Sequence, residues 1–171
     1  MALVFREIGS RIVWAAKSID EDWLSDDDIR ADALKYLKSD NNTLSIYLLE
    51  NKALLGRIIG AHCAARDNVS NLDYALFDES LLHDIGIIQE ATPAINVPDT
   101  EVTNWHRDLV KLTGKKVLRL ADIIMSKGEV NRAQAVEVGK TINKLIDSKH
   151  IDKSKLNEKL LADLEKDKYK N

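Results

Sequence analysis

The chain has 171 residues, of which 44% are apolar and 31% charged, and its formal net charge is −3. This length and composition are typical of one globular domain and exclude a disordered or membrane-embedded chain. A single cysteine excludes an internal disulfide framework, and the slightly acidic balance does not favour a nucleic-acid binder. We therefore expect a cytoplasmic protein that makes no contact with membranes.

Residues 3–16 contain two apolar runs that are separated by Gly9 and Ser10. A glycine that opens a two-residue loop is typical of a type II′ hairpin, which favours two extended segments. The same stretch also carries apolar side chains at helical spacing, so a single helix is the alternative interpretation.

A helix is predicted after residue 25. Ser25 is a good N-cap, and the aspartates at positions 26–28 place negative charge at the positive end of the helix dipole. The apolar stripe of this predicted helix consists of Ile29, Ala33, Leu34 and Leu37.

A strand, a helix and a second strand are predicted over residues 43–49, 53–66 and 72–77. Both strands alternate apolar and polar residues, and short links join them to the helix. This order predicts a βαβ unit and a small mixed, partly parallel sheet. Gly56 and Gly60 indicate close packing of the helix, since neither carries a Cβ atom.

Both prolines of the chain fall within residues 91–100, which we interpret as a linker. It separates an α/β part, 1–90, from a helical part, 101–171, although both parts are compatible with one compact domain. Beyond the linker, apolar residues keep helical spacing over 102–124, with Asp99 or Thr100 as the N-cap. The predicted fold class is therefore α+β, a small mixed sheet packed with a helical C-terminal half.

Further helical stripes follow after Gly128, which marks the end of the first one. Their apolar residues are Ala135, Val138, Ile142 and Leu145, and then Leu156, Leu160 and Leu164. Stripes of this length pack either internally or against a second copy of the chain.

The segment Leu81-Leu82-His83-Asp84-Ile85-Gly86 resembles the metal-binding core of HD-domain phosphohydrolases. The resemblance implies a divalent metal held by His83 and Asp84, with His62 and Asp122 as the outer ligands, and hydrolysis of a phosphoester. The alternative interpretation is a short helix over residues 79–84 that ends at Gly86 and leads into an extended segment.

Polar residues surround Trp105 just after the linker. They are Asn104, His106, Arg107 and Asp108. We interpret Trp105, His106 and Arg107 as a partner-binding patch with an aromatic anchor, or the polar residues as the lining of a pocket. The alternative is a solvated helix face around one buried tryptophan.

The favoured hypothesis for function is a non-enzymatic interaction or regulatory module that self-associates through its C-terminal helices, without a cofactor or a metal. It depends on the lack of a complete catalytic motif and on the long helical stripes. The alternative hypothesis is an HD-like metal-dependent phosphohydrolase. Lysines gather in 149–170, but interleaved aspartates and glutamates indicate a solvated surface, so nucleic acid is not the favoured partner.

Overall fold

The computed structural model describes residues 2–15, 23–25 and 28–170. Its strands are β1 (Leu3–Glu7), β2 (Leu44–Leu49), β3 (Leu72–Asp78), β4 (Ile88–Ala91), β5 (His106–Val110) and β6 (Glu129–Ala133). Its helices are α1 (Ala31–Leu34), α2 (Leu55–Cys63), α3 (Ser80–Asp84), α4 (Thr100–Trp105), α5 (Gly114–Lys127), α6 (Ala135–Asp147) and α7 (Glu158–Leu164). Short 3₁₀ turns occupy Arg11–Trp14, Lys35–Leu37, Lys52–Leu54, Lys153–Lys155 and Asp167–Tyr169.

The six strands form one sheet in the order β4-β5-β2-β1-β3-β6. Neighbouring strands are antiparallel at every pairing among the described residues. The α+β fold class is thus confirmed, but the predicted mixed sheet is corrected. β2, α2 and β3 follow one another as expected, yet β1 lies between the two strands and pairs antiparallel with each, so they never become parallel neighbours.

Helices cover both faces of the sheet because its strands alternate two sets of apolar side chains. On β1, Phe5 faces the layer formed by α2, α6 and α7, whereas Val4 and Ile8 face the layer formed by α1, α3 and α5. The predicted stripes of α6 and α7 pack into the first layer, where Val138, Ile142, Leu145, Leu160 and Leu164 are buried.

The hairpin predicted at Gly9 and Ser10 is absent from residues 2–15, and so is the alternative helix. After β1 the chain turns at Gly9, whose φ of +69° suits glycine, and enters a 3₁₀ turn. The indole Nε1 of Trp14 donates a hydrogen bond to the carbonyl of Ile8 at 3.1 Å, and Trp14 is buried while Ile12 of the same run is exposed. Burial of Trp14 therefore holds this segment in place, and the strand pairing of the predicted hairpin does not form.

The helix predicted after residue 25 is shorter than expected. Asp26 and Asp27 lie outside the described residues, and the regular helix begins only at α1. Its N-cap is Arg30, which makes no side-chain capping bond. Ala33 and Leu37 of the predicted stripe are buried. The described part of this segment is thus one helical turn followed by a 3₁₀ turn.

The predicted helix over 102–124 is interrupted by β5, and β6 was not expected at all. The Asp99 cap is confirmed, since its carboxylate accepts from the backbone of Glu101 and Val102 at 3.0 and 3.3 Å. Pairing of β5 with β2 on one side and β4 on the other prevails over the helical spacing. The C-terminal half is therefore not all helical, and its two strands lie in the same sheet as β1 to β4.

Candidate functional site

A pocket opens on the α2 face of the sheet, and we name it the β1–β2 pocket. Its volume is about 510 Å³, which is within the range of small-molecule sites. Strands β1, β2 and β5 form the floor, the C-terminal end of α2 forms one wall, and the segment 93–97 forms the other. The lining residues are Phe5, Arg6, Glu7, Ser45, Tyr47, His62, Ala65, Arg66, Pro93, Ala94, Ile95, Val97, His106 and Asp108.

The pocket lies where β1 and β2 separate. The β1–β2 register ends at the pair Phe5–Tyr47. β1 nevertheless continues against β3 as far as Glu7, and β2 is still paired with β5 at Leu44. A gap in the sheet results, and the carbonyl of Ser45 lies beyond the last backbone pair between β1 and β2.

Arg6 fills this gap. Its Nη1 donates to the carbonyl oxygen of Ser45 at 2.9 Å, and its Nη2 donates to the carbonyl oxygen of Tyr36 at 3.0 Å. Its Nε atom is buried and has no acceptor. Burial lowers the pKa of Arg6, and the nearby charge of Glu7 only partly opposes this. The guanidinium is thus a desolvated cation that is bound to neutral carbonyls.

A three-residue ionic network lies at the α2 wall. Glu7 accepts hydrogen bonds from Nε2 of His62 at 2.7 Å and from Nη2 of Arg66 at 2.8 Å. Burial alone raises the pKa of Glu7, but the hydrogen bond from His62 and the charges of His62, Arg66 and Arg6 outweigh it and lower the pKa to about 2. Both carboxylate oxygens are occupied, so this network orients side chains rather than offering a free charge.

Tyr47 stands at the centre of the floor. Its ring makes edge contacts with His62 and His106, at centroid distances of 5.8 and 5.2 Å. Burial, with the charge of Glu7, raises the pKa of Tyr47 to about 12, so its hydroxyl keeps its proton at neutral pH. Among the described residues this hydroxyl has no hydrogen-bond partner, and it is available to a ligand as a donor.

Asp108 and His106 form the β5 side of the floor. The Asp108 carboxylate accepts from the hydroxyls of Ser45 at 3.0 Å and Thr92 at 2.8 Å. His106 is buried, and its Nδ1 donates to the carbonyl of Thr92 at 2.8 Å. A carbonyl only accepts, so Nδ1 carries a proton, and Nε2 is the acceptor in the neutral ring. Thr92 thereby ties the start of the second wall to the floor.

The far end of that wall is tied to α2. The buried carboxylate of Asp99 accepts from Nε and Nη2 of Arg57 at 2.7 and 3.0 Å. Burial raises the pKa of Asp99, but the hydrogen bonds from Arg57 prevail and lower it. Arg57 also lies over the ring of Trp105, 5.5 Å from its centroid. The segment between Thr92 and Asp99 is therefore anchored at both ends.

The four residues implied by the HD resemblance do not gather. His62 lies on the α2 face of the sheet, whereas α3 with His83 and Asp84 and α5 with Asp122 belong to the opposite layer. Among the described residues, no group of three His, Cys, Asp or Glu side chains is placed to hold a metal ion. The segment forms the short helix α3, with Gly86 at a φ of +68° before β4, as the alternative interpretation expected.

The three residues of the predicted partner-binding patch do not share one surface, because successive side chains of β5 point to opposite faces of the sheet. Trp105 is half-buried beside Arg57, and His106 faces the β1–β2 pocket. Arg107, the next residue of β5, lines a second cavity of about 600 Å³ together with His83. The alternative of a polar pocket is closer to the observed arrangement, since His106 and Asp108 share one.

Arg6, Glu7 and Tyr47 were not expected as site residues. The signal available was weak: Arg6 and Glu7 are charged residues at the end of an apolar run, and Tyr47 is one residue of a β-prone stretch. Their role depends on where β1 and β2 separate, which no local pattern encodes.

Comparisons with protein-family models, with curated proteins and with solved structures find no match to this chain. Across the described residues, none of the helices has both the length and the apolar character needed to cross a membrane.

Proposed function

We propose that the protein is a non-enzymatic binding module that takes a small polar molecule into the β1–β2 pocket. The observation that carries the proposal is the Tyr47 hydroxyl, a donor without a partner in the floor of a cavity. The side chain of Arg6 lines the same cavity. Pockets with a few convergent polar groups and residues of shifted pKa are the common form of ligand sites.

The rigidity of the site supports binding. Its floor side chains project from paired strands, and its second wall is fixed at Thr92 and at Asp99. Sites on strands hold their geometry better than sites on free loops, so little ordering is needed when a ligand binds.

Self-association through the C-terminal helices has less support. The apolar stripes that motivated it are buried within a single copy. The exposed apolar side chains on these helices include Leu118 on α5 and Val136 on α6, and these two helices cover opposite faces of the sheet. The residues described on α5 to α7 therefore offer no continuous apolar surface for a second copy.

A pocket-filling substitution tests the proposed function. Ala65→Trp places an indole at the exposed rim of the pocket, and Ala53→Trp adds the same group in the exposed 3₁₀ turn before α2 as a matched control. We expect small polar metabolites that bind the protein to shift the amide NMR signals of Glu7 and Tyr47 in the control but not in Ala65→Trp. Equal shifts in both variants, or no compound that shifts these signals, would refute the proposal.

A further inference from the structure

Two oppositely charged residues that line the β1–β2 pocket, Arg6 and Asp108, take part in no salt bridge with another described residue. The other acids around it are paired, Glu7 with His62 and Arg66, and Asp99 with Arg57. Within the described residues, Arg6 and Asp108 form no ion pair with each other or with any other side chain. A site that leaves one cation and one anion unpaired is complementary to a ligand that carries both charges.

We propose that the ligand is an α-amino acid with a bulky apolar side chain, its carboxylate bound at Arg6 and its ammonium at Asp108. This inference rests on the proposed function, since it names the chemical class of the ligand for the same pocket.

The surroundings of the Arg6 guanidinium favour the binding of an anion. When a guanidinium is buried and is not paired with a carboxylate, it loses solvation that neutral carbonyls replace only in part. The Nη1 of Arg6 makes an exposed hydrogen bond to the carbonyl oxygen of Ser45, and this nitrogen has a second hydrogen left to donate. A carboxylate that approaches from the pocket therefore gains a charge-assisted hydrogen bond at little cost in reorganisation.

The state of Asp108 favours a cation. Its two oxygens accept hydrogen bonds from the neutral hydroxyls of Ser45 and Thr92, which orient the carboxylate without cancelling its charge. An ammonium has three donors, and both the carboxylate and Nε2 of the adjacent His106 offer acceptors.

The two charged side chains contact the same residue. Ser45 contacts both of them, since its carbonyl oxygen accepts from Arg6 and its hydroxyl donates to Asp108. The two charged groups therefore lie around a single residue. In an α-amino acid, the ammonium and the carboxylate are likewise attached to one carbon atom.

The rest of the pocket suits an apolar side chain. Phe5 and the ring of Tyr47 form the floor, and Ala65, Ala94, Ile95 and Val97 form the walls. A cavity of about 510 Å³ leaves room beyond the two charged groups, which favours a large side chain such as that of phenylalanine or leucine.

Titrations with three related compounds test the inference. L-phenylalanine carries both charges, L-phenylalaninamide lacks the carboxylate, and N-acetyl-L-phenylalanine lacks the ammonium. We expect L-phenylalanine to bind at least about tenfold more tightly than either analogue, as read from the amide signals of Glu7 and Tyr47.

Two variants test which residue binds each charged group of the ligand. Asp108→Asn keeps the shape, with the amide oxygen accepting from one hydroxyl and the amide NH2 donating to the other, and we expect it to lose the preference for L-phenylalanine over the N-acetyl compound. Arg6→Gln should lose the preference over the amide. If Arg6→Gln does not fold, as judged by its melting curve, the Asp108→Asn result decides alone.

The outcomes separate the inference from the proposed function. If other metabolites occupy the pocket and L-phenylalanine and L-leucine bind no better than their charge-deleted analogues, the amino-acid inference is refuted while the binding function stands. If no compound shifts the pocket signals up to about 5 mM, both are refuted.

Discussion

Arginines bind three of the buried or half-buried carboxylates of this protein, those of Glu7, Asp73 and Asp99. Asp73 is buried on β3 and accepts from Nε and Nη2 of Arg132 on β6 at 2.6 and 2.7 Å, and from the backbone of Arg11 at 2.8 Å. The hydrogen bonds from Arg132 lower the pKa of Asp73 despite its burial. Such pairs join segments that are far apart in sequence, and their loss leaves a buried charge unsatisfied.

Asp73→Ala is expected to lower the free energy of unfolding by about 2–3 kcal/mol, because it removes charge-assisted hydrogen bonds and leaves Arg132 unpaired. Lys52→Ala is the control. It breaks the Lys52–Glu129 pair, whose side chains are 57% and 59% exposed, against 3% for Asp73. We expect the control to change stability by less than about 1 kcal/mol in urea denaturation. Equal effects would show that burial does not set the strength of these pairs.

The stabilisation that Glu7 contributes should depend on pH in a defined direction. The folded-state pKa is about 2, below the ordinary 4.5, so the contribution is complete above pH 4.5 and is lost as the pH falls towards 2. The difference in unfolding free energy between the native protein and Glu7→Gln should therefore shrink over that interval. Urea titrations at pH 7, 4 and 3 measure it, and a constant difference would contradict the assigned role of His62 and Arg66.

At the residue scale, the sequence predicts which side chains are buried better than it predicts which residues they contact. Cys63 lies on the buried side of α2, and burial raises the pKa of its thiol to about 11. His62, which the HD resemblance implied as a metal ligand, is half-buried and bound to Glu7. Periodicity reports which side of a helix faces inward, whereas a partner on a distant strand leaves no local trace.

Close contact between helices is the main feature at the scale of elements. α2 and α6 lie together on the sheet, and Gly60 of α2 faces Leu145 and Thr141 of α6. A Cβ atom at Gly60 would lie 2.5 Å from Leu145 and 2.9 Å from Thr141, whereas a Cβ atom at Gly56 would meet nothing within 4 Å. Of the two glycines expected to allow close packing, the structure requires only Gly60.

Gly60→Ala and Gly56→Ala should therefore have opposite effects. The first is expected to destabilise the protein by about 1–2 kcal/mol, because α6 side chains must move in a packed core. The second should be neutral or stabilise by up to about 1 kcal/mol, because alanine favours the helix. Thermal and urea denaturation measure both changes. A stabilising Gly60→Ala would contradict the packing of α2 on α6.

Elements with strong local signals could be predicted, and those that depend on distant pairing could not. β2, α2, β3 and α3 were expected from alternation, spacing and turn residues, and each is present. β5 was assigned to a helix because Val102, Trp105 and Leu109 keep helical spacing. Its extended conformation comes from pairing with β2, which is distant in sequence, and with β4, from which a loop and the helix α4 separate it. Such pairing prevails over local preference.

At the scale of the whole molecule, the C-terminal residues complete one of the two cores. Leu160 and Leu164 of α7 are buried, and Tyr169 packs against the helix position Gly139 with 2% of its surface exposed. The Asn143 amide donates to the carbonyl of Tyr169 at 2.9 Å and holds the end of the chain on α6. The lysine-bearing segment is thus part of the folded core and not a detached tail.

Removal of residues 157–171 should prevent stable folding. Burial of Leu160, Leu164 and Tyr169 contributes roughly 5–9 kcal/mol, comparable with the whole stability of about 5–15 kcal/mol for a domain. The double variant Lys166→Ala and Lys170→Ala is the control, since it removes exposed charges and keeps the packing. Circular dichroism melting should show a cooperative transition for the control alone. A truncated chain with an unchanged melting temperature would contradict this role.

The central position of β1 has a consequence for biosynthesis. Translation produces β1 well before either of its neighbours, since β2 begins at Leu44 and β3 begins at Leu72. Until both have been synthesised, the backbone edges of β1 have no neighbouring strand to pair with, and β6 at the sheet edge is synthesised later still. Long-range pairing of this kind slows folding and leaves nascent chains prone to aggregation. The protein should therefore depend on chaperones during synthesis more than its modest size suggests.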